Sequence, residues 1–353
     1  LRLSGDAVTE ELMAEGAAGD IQGLTGKELA DRAELYGIAA DDSYVTWNGA
    51  NRAPLENFVY DGSNRSVSSG RSLVLILSVN GNLGGITAYN GPEGKVDYCA
   101  TGDWYLNNKS DAIGVGTGGI IGMNESEEDL SFLLTQAFVG RQLSSNDTNR
   151  FAGGIIGNQN NTTRDGWKLK GCVNYGTVYC LRTHYSGGVL GQWTGTGGTL
   201  EQCYNYGNLQ TTYGTGWVGA SGGIVAQLYH AYEGNEYNII SCGNYGNIFG
   251  QTGRSNGNCA NDSAGILGNV TAYESGSAKG AQNYTIQVMD CVNGSGVEIY
   301  SNSMASGIVG FFSCDNPRSQ EQIGRATGNI KLHIERCRNF AAVLTGGGGN
   351  LFV

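Results

Sequence analysis

Three histidines, nine cysteines and a short run of carboxylates are the residues with the chemistry for catalysis or metal binding. His184, His230 and His333 are scattered, and none belongs to His-Glu-x-x-His, so no zinc peptidase site is written in the chain. His230 has Glu233 three residues on, but no second histidine completes a motif. There is no Cys-x-x-Cys pair for structural zinc, and no Gly-x-Ser-x-Gly elbow set between a strand and a helix. Glu125, Glu127, Glu128 and Asp129 form an acidic run, which reads as a solvated surface or a helix start. Paired carboxylates or a calcium-assisted base would serve polysaccharide cleavage. Here the acidic residues do not recur at a fixed spacing. No cofactor is expected, and calcium is conceivable for the acidic residues without being indicated by any motif.

Aromatic residues are the stronger signal. Trp193, Trp217, Tyr229 and Tyr232 fall in long segments after Gly-Gly phrases and are the candidate ligand contacts, because loops on a rigid scaffold carry function. The segments 227–236 and 269–282 are the candidate binding loops. Tyr175, Tyr206, Tyr245 and Phe340 occupy one repeat position. Their favoured reading is a ladder packing turn on turn, and contact with sugars or protein partners is the alternative.

These residues are positioned by two recurring phrases. Gly-Gly-Ile/Val-like phrases begin at Gly84, Gly118, Gly153, Gly187 and Gly222, followed by variants at Ala264 and Ser306, in steps of 34, 35, 34, 35, 42 and 42 residues. The second phrase, Cys-x-Asn, begins at Cys172, Cys203, Cys242, Cys291 and Cys337. Such periods indicate stacked repeats. Each phrase is short and strand-like, and no unit holds a convincing amphipathic helix. Two or three strands per unit suit a coil of a parallel β-helix better than a four-stranded propeller blade. The expected fold is therefore all-β, a parallel β-solenoid.

Along a strand, residues i and i+2 share a face. The residue between Cys and Asn is Val173, Tyr204, Gly243, Val292 or Arg338, a tolerance that belongs to a solvent face. Cys172, Cys203, Cys242, Cys291 and Cys337 should then line the interior beside Asn174, Asn205, Asn244, Asn293 and Asn339. Stacked asparagines satisfy one another at the strand spacing of about 4.8 Å. A disulfide needs Cβ atoms about 3.8 Å apart, so the ladder cysteines are expected as buried free thiols. Cys99, Cys180, Cys259 and Cys314 lie off this pattern, and their state is open.

Residues 1–45 are richer in Ala, Glu and Leu, with Thr9 and Thr25 as N-caps, and read as a partly helical cap. Residues 46–345 form the solenoid, clearest over 118–343, and 346–353 a Gly-rich tail. Between Gly118 and Gly153 the Cys phrase is missing, and 124–140 reads as either a degenerate strand or a short helix capped by Ser126.

Composition agrees with this class. Fifty-nine glycines stand against three prolines, and charged residues are only 15%. The formal charge of −11 argues against nucleic acid and anionic membranes. No apolar run reaches the roughly 18 residues of a membrane helix.

The alternation of Gly153–Gly157, Gly187–Gly191, Gly222–Ala226, Ala264–Gly268 and Ser306–Gly310 with Cys-x-Asn-x-Gly-x-Val resembles the GLUG motif. That repeat occurs in large exported proteins of Gram-positive bacteria and in the non-catalytic part of IgA-protease-like enzymes. The resemblance covers roughly 118–343 and implies a right-handed β-helical module, secreted or on a bacterial surface within a larger polypeptide. It implies no reaction. A non-catalytic adhesin-like module for host or bacterial glycan or protein is the leading expectation. A carbohydrate-active β-helix enzyme and a structural spacer are the alternatives.

Overall fold

The computed structural model describes residues 50–51, 55–56, 59–60, 74–78, 81–102, 104–108, 114–142, 151–181, 185–213, 219–231, 234–252, 261–271, 283–301, 304–313, 330–345 and 351–352. The helical cap expected over 1–45 lies outside them. Within them every regular element is a strand, and the strands form five parallel sheets of eight strands each. Strands five apart in chain order pair, so each sheet takes one strand from every coil of a parallel β-solenoid. One coil runs Ile156–Gln159, Trp167–Lys170, Val173–Asn174, Val178–Leu181 and Tyr185–Gly187.

Alternation of side chains puts one apolar column per sheet into the interior. Leu130, Leu169, Leu200, Ile239 and Val288 form one such column. Val139, Val178, Leu209, Ile248 and Ile299 form another. All ten are at most 2% exposed, and burial of each such side chain contributes about 1.5–3 kcal/mol before chain entropy is charged against it.

The segment 124–140 contains no helix. It holds the strands Leu130–Ser131, Leu134–Thr135 and Phe138–Gln142. The Ser126 hydroxyl donates to the Gly94 carbonyl and accepts from the Glu128 amide at 2.9 Å, which ties a turn to the preceding coil. Leu134 pairs with both Ala100 and Val173. Leu133 therefore stands in the cysteine column, level with Cys99 before it and Cys172 after it, and Thr135 stands in the asparagine column. At the other end, Leu351–Phe352, assigned from sequence to the tail, pairs with Ala305–Ser306 as a further solenoid strand.

The two recurring phrases touch. The second glycine of each Gly-Gly phrase packs on the asparagine of the following Cys-x-Asn phrase. A β-carbon on Gly154 would lie 2.4 Å from Cγ of Asn174, and one on Gly188 would lie 2.3 Å from Cγ of Asn205. Gly223, Gly265 and Gly307 repeat the contact with Asn244, Asn293 and Asn339 at 2.4–2.6 Å. Here the cross-section is too narrow for any other residue, and this explains why the phrases recur together.

Candidate functional site

The asparagine column is the frame of the site. Each Nδ2 donates to the next Oδ1, from Asn174 to Asn205 and Asn205 to Asn244 at 2.8 Å, Asn244 to Asn293 at 2.9 Å and Asn293 to Asn339 at 2.8 Å. The same amides grip their own turns. Asn174 donates to the Gly176 carbonyl at 2.9 Å and accepts from its amide at 3.0 Å. In the earlier coils Thr101 and Thr135 share a hydroxyl hydrogen bond of 2.7 Å in this column.

The cysteines run alongside. Cys99, Cys172, Cys203, Cys242 and Cys291 are buried, Cys337 is half-buried, and all six are free thiols. Cys180 is also a buried free thiol, in the adjoining sheet between Arg141 and Thr211. Cys259 and Cys314 lie outside the described residues. The residue before each ladder thiol turns the corner in the left-handed region, as at Gln202 and Ser241, both with φ 54°. Each thiol reaches back over that corner, as from Cys203 to the Glu201 carbonyl at 3.5 Å and from Cys242 to that of Ile240 at 3.4 Å. A small weak donor fits this task. Cys172, Cys203 and Cys242 are at most 1% exposed whereas Cys337 is half-buried, so access to reagent orders their reactivity. In the folded protein, iodoacetamide followed by mass spectrometry should label Cys337 well before Cys172, Cys203 or Cys242. Equal rates would contradict this packing.

Directly after each asparagine the chain faces out again, and there the rings of Tyr175, Tyr206 and Tyr245 stack. Their centroids are 5.1 and 5.0 Å apart and their planes within 13°. The spacing is that of the strands beneath, because each ring is hung on one rung of the asparagine ladder. The three are 51%, 45% and 40% exposed. Among the described residues their hydroxyls have no protein hydrogen-bond partner. Tyr204 lies on the same face. Phe340 extends the row in the last coil, and Tyr98 and Phe132 make a second exposed stack at 4.8 Å in the early coils. Tyr98 and Phe132 sit at the corner that precedes this sheet, the place held by Gln202 and Ser241 in later coils.

The other sequence candidates are placed differently. Trp193 is 1% exposed, edge-on to Trp167 and Tyr237, so its indole has no face open to solvent. The reason lies in its column, which is polar at Asn90, Asn124 and Gln159 and becomes apolar at Trp193, Leu228 and Val270. Tyr229 is half-buried in the strand Val225–Ala231. Trp217, Tyr232 and His184 lie outside the described residues, and His333 is exposed on the last coil. His230 is in the same strand as Tyr229. The sequence does contain Gly219-Ala220-Ser221-Gly222-Gly223, but Ser221 is buried in a strand and shares a 3.0 Å hydrogen bond with Ser186.

The acidic run is knit into its neighbours. Glu125 accepts from the Tyr89 hydroxyl at 2.5 Å and from Asn160 Nδ2 at 3.0 Å, Glu127 from Thr163 Oγ1 at 2.6 Å, and Asp129 pairs with Arg164 at 3.0 Å. Among the described residues no three His, Cys, Asp or Glu gather as a metal site.

No protein-family model matches this chain, and no curated protein or solved structure matches it either. The candidate site is therefore read from its own geometry.

One buried acid stands apart. Asp262 is fully buried, and its Oδ2 accepts from Asn269 Nδ2 at 2.6 Å while Oδ1 has no partner among the described residues. Burial pushes its pKa up to about 7, and the Asn269 bond draws it partly back. An unfolded-chain Asp titrates near ~3.9. The raised folded pKa means that this carboxyl favours folding fully below the unfolded value, and that its contribution is lost as pH rises to about 7. Wild-type stability in urea should fall by roughly 3 kcal/mol more between pH 5 and pH 8 than that of Asp262→Asn. Parallel pH profiles for the two proteins would refute it.

Proposed function

We propose that this chain is a non-catalytic binding module of an exported bacterial surface protein, with the tyrosine row as its contact face and a glycan as its ligand. The observation that carries the reading is the exposed, stacked row of Tyr175, Tyr206 and Tyr245 with uncommitted hydroxyls. Aromatic faces attract the C–H faces of sugar rings, because their quadrupole is negative on the face. The phenol hydroxyls beside them serve sugar hydroxyls as donors and acceptors. A rigid solenoid fixes the spacing in advance, which lowers the entropy cost of binding. The GLUG-like repeat pattern supports the exported surface setting. The stacking itself also favours the spacer alternative, since the rings hold coil to coil. Of the acidic run on which a glycan-cleaving alternative would draw, Glu125, Glu127 and Asp129 are engaged by Tyr89, Asn160, Thr163 and Arg164.

The test is a polysaccharide panel probed with the purified chain and scored for both retention and released reducing sugar. Retention without release is the expected result. Release of sugar would replace the reading with the enzyme, and neither signal would leave the row a structural ladder.

A further inference from the structure

The ring stacks of this chain differ in how many phenols each one brings together. Tyr98 stacks on Phe132, Tyr105 on Phe138 and Tyr185 on Phe151, so each of those pairs has one phenol. Tyr237 and Tyr284 meet edge to face at 6.0 Å, but both are at most 3% exposed. Among the described residues, exposed phenol stacks on exposed phenol only in the row, Tyr175 on Tyr206 and Tyr206 on Tyr245. The backbone fixes this arrangement. The Tyr206 amide bonds to the Asn174 carbonyl and the Tyr245 amide to that of Asn205, both at 2.7 Å. Each ring is thereby hung one strand from the next, about 4.8 Å, and the centroid spacings of 5.1 and 5.0 Å follow from it.

Phenols held side by side have a reaction within one chain that an isolated tyrosine lacks, oxidative coupling. Each phenol gives up one electron and its hydroxyl proton. The two tyrosyl radicals then join through a bond between their Cε carbons, beside the hydroxyls. The two Cε–H bonds break as the rings regain aromaticity, and protons return to both oxygens. The pair has then lost two electrons and two protons, which one hydrogen peroxide accepts in becoming two waters. Burial, then the neighbouring Tyr245 and Tyr175 phenols, raises the Tyr206 pKa, so the neutral phenol is the form oxidised near pH 7 and its proton leaves to solvent. A rigid scaffold raises the effective concentration of one phenol at the other far above that of free chains in solution.

We infer that the row is a site of covalent modification, where a haem peroxidase using hydrogen peroxide couples Tyr206 to Tyr175 or to Tyr245 as dityrosine. Exposure selects these residues over Tyr237 and Tyr284, because an enzyme oxidant meets only side chains that reach the surface. Tyr206, in the middle, has a phenol neighbour on each side. Either bond ties one coil covalently to the next, a tie that the free thiols of the same sheet do not make. Such a cross-link constrains the unfolded chain as a disulfide does. The modification goes beyond the glycan-binding reading and does not depend on it, since a binding face and a spacer's ladder present the same phenols.

The test treats the whole chain, with Cys337 first alkylated, with a plant haem peroxidase and hydrogen peroxide at low protein concentration. The monomer is isolated and cut after Lys, Arg and Glu, which places Tyr175, Tyr206 and Tyr245 on three separate peptides. Mass spectrometry, with fragment ions locating the bond, should find Tyr206 joined to Tyr175 or Tyr245. The coupled monomer should melt several degrees above the untreated chain. Tyr206→Phe keeps the ring but leaves Tyr175 and Tyr245 two strands apart, about 9.6 Å, and should lower monomer dityrosine about tenfold. Tyr98→Phe, at an exposed tyrosine stacked on a phenylalanine, should leave the yield unchanged. Thermal melting before oxidation shows that each variant is folded. Tyr245→Phe, which should lose only the bond to position 245, keeps the test decisive should Tyr206→Phe fail to fold. Dityrosine confined to cross-linked dimers, bonds only among other tyrosines, or a yield indifferent to Tyr206→Phe would overturn the inference. An unshifted melt of the coupled monomer would overturn its role as a staple. Glycan retention is no part of the readout, so failure of this inference and failure of the binding reading are separately visible.

Discussion

Asn205→Ala should destabilise the folded chain by about 3–5 kcal/mol. Asn205 accepts from Asn174 at 2.8 Å, donates to Asn244 at 2.8 Å, and donates to the Gly207 carbonyl at 2.9 Å. It is fully buried, so water cannot replace these partners. Each buried group left unsatisfied costs about 1–3 kcal/mol, and the vacated volume adds to it. The ladder also predicts a gradient. Asn339 is half-buried, has one ladder neighbour among the described residues, and holds its own turn through longer bonds of 3.3 and 3.4 Å. Asn339→Ala should therefore cost about 1 kcal/mol. Urea melts of the two variants test this, and equal losses would show that the amides do not act as a ladder.

The second large effect is expected at Gly188. An alanine β-carbon there would lie 2.1 Å from the Gly223 carbonyl oxygen and 2.3 Å from Cγ of Asn205. The first obstacle is backbone, which cannot rotate away as a side chain tip would. Overpacking of a tight interior typically costs 1–3 kcal/mol, and a clash on both sides puts Gly188→Ala at about 3 kcal/mol or more. Because the added methyl presses on Asn205, Gly188→Ala and Asn205→Ala should be less costly together than the sum of the two. Strict additivity in that double-mutant cycle would mean the two phrases do not meet across the coil.

The sequence made the solenoid legible because its two phrases recur with fixed polarity. Cys and Asn never vary where Val, Tyr, Gly and Arg alternate between them, and only an inward face imposes that. The coil over 124–140 was harder to read, because Leu133 and Thr135 fill the cysteine and asparagine places. Cys99-Ala100-Thr101 keeps the cysteine but also has Thr in place of Asn, which was the available signal. The row of Tyr175, Tyr206 and Tyr245 was visible as a repeat position. Its exposure was not, since a ring after an inward asparagine can lie against the coil or stand in water. Trp193 shows the opposite limit. Its column changes from polar to apolar between Gln159 and Trp193, a change visible only once the cross-coil register is known.

The central claim is that the exposed tyrosine row, and not the core, contacts the ligand. The most direct test is the affinity of Tyr206→Ala for whichever polysaccharide the wild type retains, measured beside its thermal melting. Tyr206 is the middle ring, with a neighbour on each side. Affinity should fall tenfold or more, about 1.4 kcal/mol, while the melt shows the chain still folded at the binding temperature. Unchanged affinity in a folded Tyr206→Ala protein would contradict the account and leave the row as a coil-to-coil brace.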